Sequence, residues 1–162
     1  MIMAEPVAMS ACARAITAEE AAFRIDYPLA YARSTRIVAF DESAEAVMRG
    51  IADEPWGQAR FYTVNATGEQ LVTLDGEAVP MAQEIEHSDS VIMLATNGIK
   101  ADAVAAVGMA ARERAIMTAG LLFVDDGELR GETLMAIRPH ARILLVPAEH
   151  EDLYQLLVAI RA

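Results

Sequence analysis

The stretch Ser90–Val124, SVIMLATNGIKADAVAAVGMAARERAIMTAGLLFV, contains two apolar runs separated by an alanine-rich segment. The runs Ser90–Ala95 and Ile116–Val124 have the length of strands and are apolar throughout, which is typical of strands buried on both faces. Asn97-Gly98 marks a turn, and Ala101–Ala115 has the composition of a helix. The order strand, turn, helix, strand predicts one βαβ unit of a parallel sheet.

The same alternation continues on both sides of this unit. Further apolar or β-branched runs of strand length are Arg36–Phe40, Arg60–Val64, Leu71–Leu74 and Arg142–Val146. Further helices are predicted over Ala44–Asp53, Ala78–His87 with Pro80 in its first turn, Glu128–Arg138 and Glu149–Arg161. The link Asn65–Gly68 leaves open whether the runs beside it form a hairpin. The pattern predicts an α/β fold of Rossmann-like or flavodoxin-like type, in which helices cover both faces of a mostly parallel sheet of about five strands.

Length and composition predict one three-layer domain over residues 1–162, since 162 residues with 54% hydrophobic side chains suffice for a single core. The capping-box pattern Thr17–Glu20 predicts a helix within an N-terminal extension, residues 1–33. Two segments, 71–108 and 121–160, share the order strand, Asp-Gly-Glu, helix, strand, helix. This shared order suggests a duplicated βαβα unit, although tandem units of this kind give the same order without common ancestry.

The charge balance excludes some classes of partner. The chain carries 24 acidic and 13 basic residues, a net charge of -11, and shows no basic cluster in its sequence. We therefore expect neither a nucleic-acid nor a membrane partner, because both require Lys and Arg to neutralise phosphates. Cys12 is the single cysteine, no signal peptide is recognisable, and no apolar run approaches the ~20 residues that span a bilayer. These features predict a cytoplasmic protein.

Candidate ligand-binding residues follow from the predicted topology, because ligands of parallel sheets bind beyond the carboxyl ends of the strands. A helix that begins near Ile99 would direct free N–H groups at an anion beside Gly98, and Lys100 would add a positive charge. The predicted contacts are Thr96, Asn97, Gly98, Lys100, Asp41, Ser43 and His150. Helix capping explains the acidic residues at these positions equally well, and an Asn-Gly turn needs no ligand.

The segment Asp89–Phe123 resembles part of the phosphosugar-binding SIS domains, in which a strand ends in a Ser-x-Ser-Gly-x-Thr loop before a helix rich in small residues. Here the loop reads Ala95-Thr96-Asn97-Gly98-Ile99-Lys100, which keeps the glycine and lacks the three hydroxyl residues. The resemblance covers about a fifth of the chain. It implies the strand-loop-helix-strand topology and does not imply the family's ligand.

These observations give three hypotheses for function. The first is a domain that binds a small anionic ligand. The second is a structural or protein-interaction subunit that forms a homo-oligomer through the alanine-rich helix. The third is an enzyme assisted by a divalent metal bound by Asp41, Glu42 and Asp125 or Asp126. The sequence names no cofactor, since it has neither a Walker A loop nor G-x-G-x-x-G, and it leaves open whether the protein is an enzyme.

Overall fold

Strands and helices alternate along most of the computed structural model, which describes residues 32–97, 100–125 and 127–162. The strands are β1 (Thr35–Ala39), β2 (Ala59–Val64), β3 (Gln70–Thr73), β4 (Ala78–Pro80), β5 (Ser90–Ala95), β6 (Met117–Phe123) and β7 (Ile143–Ala148). The helices are α1 (Glu42–Arg49), α2 (Met81–Glu86), α3 (Ala101–Glu113), α4 (Gly131–Ile137) and α5 (His150–Ile160), with a 3₁₀ helix at Arg138–His140. The predicted N-terminal helix and Cys12 lie outside the described residues.

All seven strands belong to one sheet, in the order β4-β3-β2-β1-β5-β6-β7. The five strands β2, β1, β5, β6 and β7 are mutually parallel, which confirms the predicted class and the β5-α3-β6 topology. Numbered along the chain, these parallel strands have the order 2-1-3-4-5, which is the flavodoxin-like arrangement. The sheet has seven strands rather than about five because β3 and β4 add an antiparallel edge.

The region between β2 and α2 is where the structure differs most from the sequence-based expectation. Strands β2 and β3 form an antiparallel hairpin with Tyr62 opposite Thr73, which answers the question left open by Asn65–Gly68. The predicted helix Ala78–His87 is wrong in its first three residues, which pair with β3 as β4. Pro80 is tolerated there because β4 is the outermost strand, so the missing N–H breaks no internal ladder bond.

The strands β1 and β5 are buried on both faces, and successive residues enter two separate cores. Val38 and Met93 contact the core that contains side chains of α2, α3 and α4. Ile37 and Leu94 contact the opposite core, which contains side chains of α1 and α5. This alternation follows from the two-residue period of a strand and produces the three layers, helices, sheet and helices.

One face of the alanine-rich helix α3 is buried within the chain, while Met109 on the other face is 56% exposed. Its buried positions are Ala103, Val104, Val107, Gly108, Ala110 and Ala111. The helix packs against the sheet and lies between α2 and α4. The small side chains of α3 therefore serve packing within the chain, where they allow close approach of neighbouring elements.

The two segments that share a sequence order occupy different positions in the sheet. Strand β3 in the first segment is antiparallel to its neighbours, and β2 and β1 separate it from β5. In the second segment β6 and β7 are adjacent and parallel. The shared order therefore does not extend to strand placement, and the duplication remains a prediction from sequence.

Among the helices of the described residues, none combines the length and the apolar character that crossing a membrane requires.

Candidate functional site

The direction in which the chain adds parallel strands to the sheet reverses between β1 and β5. From β1 the chain adds β2 on one side, and from β5 it adds β6 and then β7 on the other. In open α/β sheets a ligand binds outside the carboxyl ends of the strands at such a reversal. In this chain the reversal brings Asp41, which follows β1, next to Thr96, which follows β5.

Asp41 joins the ends of these two strands. Its Oδ1 atom accepts a hydrogen bond from the Ala44 N–H at 2.8 Å and another from the Thr96 hydroxyl group. Its Oδ2 atom accepts from the Thr96 N–H at 2.5 Å. Thr96 is buried, with 3% of its surface exposed. Asp41 therefore caps α1, as the capping interpretation of the sequence allows, and also links β1 to β5.

Lys100 reaches from the start of α3 to the end of β2. Its Nζ atom donates a hydrogen bond to the Val64 carbonyl oxygen at 2.9 Å. Among the described residues no carboxylate lies within 4.0 Å of this ammonium group. The charge of Lys100 is therefore held at the carboxyl edge by a neutral partner.

The N-terminus of α3 differs from those of the other two helices with at least eight residues in the described ranges. Asp41 caps α1, and Glu149 with Asp152 forms a capping box at α5. At α3 the N-cap residue is Lys100, and no side chain caps the first turn. Among the described residues, the first N–H groups of α3 thus have no side-chain acceptor, at the end of β5 where the strand order reverses.

The remaining predicted contacts spread along the same edge. The Asn97 Nδ2 atom donates to the Glu128 carbonyl oxygen at 3.5 Å, Ser43 is exposed in the first turn of α1, and Gly98 lies outside the described residues. His150 begins α5, beyond β7, where its ring contacts the edge of Phe123 and its Nε2 atom lies 3.9 Å from Asp125. The structure therefore pairs Asp41 with Thr96, places the Lys100 ammonium group at the end of β2 and leaves His150 on the β6–β7 side.

The third hypothesis, a metal site, rests partly on Asp126, which lies outside the described residues. The oxygens of Asp41, another predicted ligand, already accept hydrogen bonds from three protein groups. Within residues 32–97, 100–125 and 127–162, no group of three or more His, Cys, Asp or Glu side chains could hold a metal ion.

A buried polar network connects the sheet to α2. The Tyr62 hydroxyl donates to Glu84 Oε2 at 2.6 Å, and Arg36 Nε lies 3.2 Å from the same oxygen. Burial, together with the hydrogen bond and charge of Glu84, raises the pKa of Tyr62 from 10.0 to about 12. The network lies on one face of the sheet and holds β1, β2 and α2 together.

Two clefts at the amino edge of the sheet were not anticipated from the sequence. One, of about 350 Å³, is lined by Arg112, His140 and Arg142 among others. The other, of about 310 Å³, is lined in part by Arg36 and Arg60. In the first cleft His140 and Arg142 are neighbours in the sequence but Arg112 is distant from them, and in the second Arg36 and Arg60 are distant from each other, so no single stretch of sequence marks either cleft.

Comparison with protein-family models finds no match, and comparison with curated proteins finds no significant similarity. Function therefore has to be inferred from the fold and from the side chains.

Proposed function

We propose that this α/β domain binds a small anionic molecule at the carboxyl edge of its parallel strands, beside the first turn of α3. The position of Lys100 is the observation that carries the proposal. Its ammonium group is anchored at the end of β2, the strand next to the reversal between β1 and β5, and the partner that anchors it is a neutral carbonyl group. One of its three N–H bonds is used in this contact, so the charge and two donors remain for a ligand.

The first turn of α3 supports an anion at the same place. Its free N–H groups and the helix dipole provide a partial positive charge, to which Lys100 adds a full charge. In this proposal Asp41 and Thr96 hold the ends of β1 and β5 in position and do not contact the ligand directly. Asn97, Gly98, Ser43 and His150 remain ligand contacts predicted from sequence.

The proposal is tested by thermal-shift screening with nucleotides, sugar phosphates and acyl-coenzyme A, followed by calorimetric titration of any stabilising compound. Lys100→Gln should weaken binding by about 10-fold or more, as expected for a lost charged hydrogen bond. Arg130→Gln is the matched control, since Arg130 is exposed at the N-cap of α4 on the same edge. Absence of any stabiliser, or equal affinity in the Lys100 variant and the wild type, would contradict the proposal.

One observation favours the second hypothesis, a self-associating subunit, through a surface other than α3. Within the described ranges β7 pairs only with β6, so its outer side is an unpaired edge, and Ile143 on it is 51% exposed. Exposed apolar edge strands are sites at which another chain adds a strand. Light scattering should then show a dimer that Ile143→Lys converts to a monomer, whereas a monomeric wild type would exclude this function. Val107→Glu is unsuitable for this test, because Val107 is fully buried and its replacement would unfold the chain.

A further inference from the structure

The larger amino-edge cleft lies at the opposite end of α3 from the proposed ligand site. It is enclosed by the last turns of α3, the start of β6 and the 3₁₀ helix with the residues that follow it. From Lys100 to Arg112 the helix rises roughly 18 Å at 1.5 Å per residue, so the two places are distinct. The cleft volume of about 350 Å³ is within the range of small-molecule sites.

The walls of the cleft are fixed by close packing and by one buried hydroxyl group. A Cβ atom at Gly108 would lie 2.4 Å from the Cβ and Cγ atoms of His140, so the glycine allows the imidazole to lie directly against α3. The Thr118 hydroxyl donates to the His140 carbonyl oxygen at 2.7 Å and accepts from the Arg142 N–H at 3.2 Å. Thr118 therefore holds the backbone of both basic residues in position.

The lining of the cleft is basic in a chain that is strongly acidic. Arg112, His140 and Arg142 line it, and none of the described residues that line it is acidic. In the part of the chain that the structure describes, neither guanidinium group has a carboxylate within 4.0 Å. Burial and the nearby charge of Arg112 lower the pKa of His140, which indicates that the guanidinium and the imidazole lie close together.

The fold explains two of the basic residues at this edge, Arg49 and Arg112, which lie in the last turns of α1 and α3. Helices that follow parallel strands end at the amino edge, where basic side chains in the last turn stabilise the helix dipole. The arginine residues at this edge are Arg33, Arg36, Arg49, Arg60, Arg112, Arg114, Arg138, Arg142 and Arg161. Acidic residues occur at this edge as well, but the cleft excludes them.

Several carbonyl groups at the C-terminal end of α3, which would otherwise face an anion with their partial negative charge, accept hydrogen bonds from protein donors. Arg114 Nη1 donates to the Ala110 carbonyl oxygen at 3.2 Å, and the Ile116 N–H donates to the Ala111 carbonyl oxygen at 2.9 Å. The Ala115 N–H donates to the Arg112 carbonyl oxygen at 3.1 Å. The electrostatic character of the cleft is therefore set by its arginine side chains.

We propose that this cleft is a second binding site, specific for a small molecule with a phosphate group, which Arg112 and Arg142 hold between their guanidinium groups. A phosphate monoester carries a charge of about -1.5 to -2 at neutral pH, which two guanidinium groups balance. The planar guanidinium group also matches phosphate oxygens in bidentate geometry. The neutral His140 imidazole adds one hydrogen bond without further charge.

The site is tested by following backbone amide signals during titration with inorganic phosphate, with glycerol 3-phosphate and with glycerol as the neutral control. We expect saturable shifts at Gly108, Thr118 and Ala141 with both phosphates and none with glycerol. The ester should bind at least as tightly as the free ion, because the cleft is larger than a phosphate group. Absence of saturable shifts at these residues would overturn the proposal.

Variants separate this site from the carboxyl edge. Arg112→Gln and Arg142→Gln should each raise the dissociation constant by about 10- to 100-fold, and both residues are exposed, so folding should be kept. The matched control Arg138→Gln removes an exposed charge outside the cleft and should change affinity by less than about 3-fold. Equal weakening by Arg138→Gln would show that affinity depends only on the overall charge of the protein, and it would overturn the site.

The two proposals fail independently. Loss of phosphate binding in Lys100→Gln with unchanged binding in the arginine variants would contradict the cleft and leave the carboxyl-edge site intact. Weaker phosphate binding in the arginine variants with unchanged binding in Lys100→Gln would contradict phosphate binding at the carboxyl edge.

Discussion

Replacing Asp41 by alanine tests the link between the ends of β1 and β5. The substitution removes the acceptor for the Ala44 N–H, which caps α1, and the acceptors for the N–H and hydroxyl groups of Thr96. Thr96 is almost fully buried, so water replaces these hydrogen bonds poorly. We therefore expect a larger loss of stability than that of a helix cap alone.

The expected loss follows from these contacts. Removal of an N-cap costs about 1 kcal/mol. The donors left without a partner belong to the buried Thr96, and an unpaired buried donor costs about 1–3 kcal/mol. Asp41→Ala should therefore lower the free energy of unfolding by about 2–4 kcal/mol. In a domain of this size this corresponds to a fall in Tm of roughly 5–15 °C.

Urea denaturation of the wild type and four variants measures the effect. Asp41→Asn keeps one acceptor oxygen and should lie between the wild type and Asp41→Ala. Thr96→Val removes the hydroxyl partner, and the double variant with Asp41→Ala should show a coupling energy of at least about 0.5 kcal/mol. A loss below about 1 kcal/mol in Asp41→Ala, or strict additivity with Thr96→Val, would refute the reasoning.

Two further predictions concern other parts of the structure. Gly108→Ala should destabilise the protein by about 1–3 kcal/mol, because the new methyl group would lie 2.4 Å from His140. Gly131→Ala is the control, since open space surrounds it, and should be neutral or stabilise the protein by up to about 1 kcal/mol. Equal effects of the two variants in urea denaturation would contradict the close packing of α3. Stability should also fall as pH rises from 10 to about 12, because unfolded Tyr62 loses its proton near 10 while native Tyr62 keeps it. Tyr62→Phe should flatten this fall and Glu84→Gln should reduce it, and an unchanged pH slope in Tyr62→Phe would count against the network.

Long apolar runs made most of the fold predictable. The run Ser90–Ala95 became β5 with the predicted bounds, and Ala101–Glu113 became α3 within two residues of its predicted end. Each of these elements is marked by its own residues, because continuous apolar runs, turn residues and capping residues indicate structure from the local sequence alone. The short strand β4 was missed because its three residues gain their structure from pairing with β3, and nothing in their own pattern indicates a partner.

The sequence by itself determined the α/β class, the order of the strands and helices apart from β4, and the residues that follow the carboxyl ends of the parallel strands. The tertiary structure alone decided which of these residues meet, because contacts between strand ends depend on strand order and not on local pattern. It paired Asp41 with Thr96 across 55 positions and placed Lys100 on the end of β2. It also gathered Arg112 and Arg142 into one cleft of a chain whose sequence shows no basic cluster, since charges distant along the chain become neighbours only when helices and strands pack.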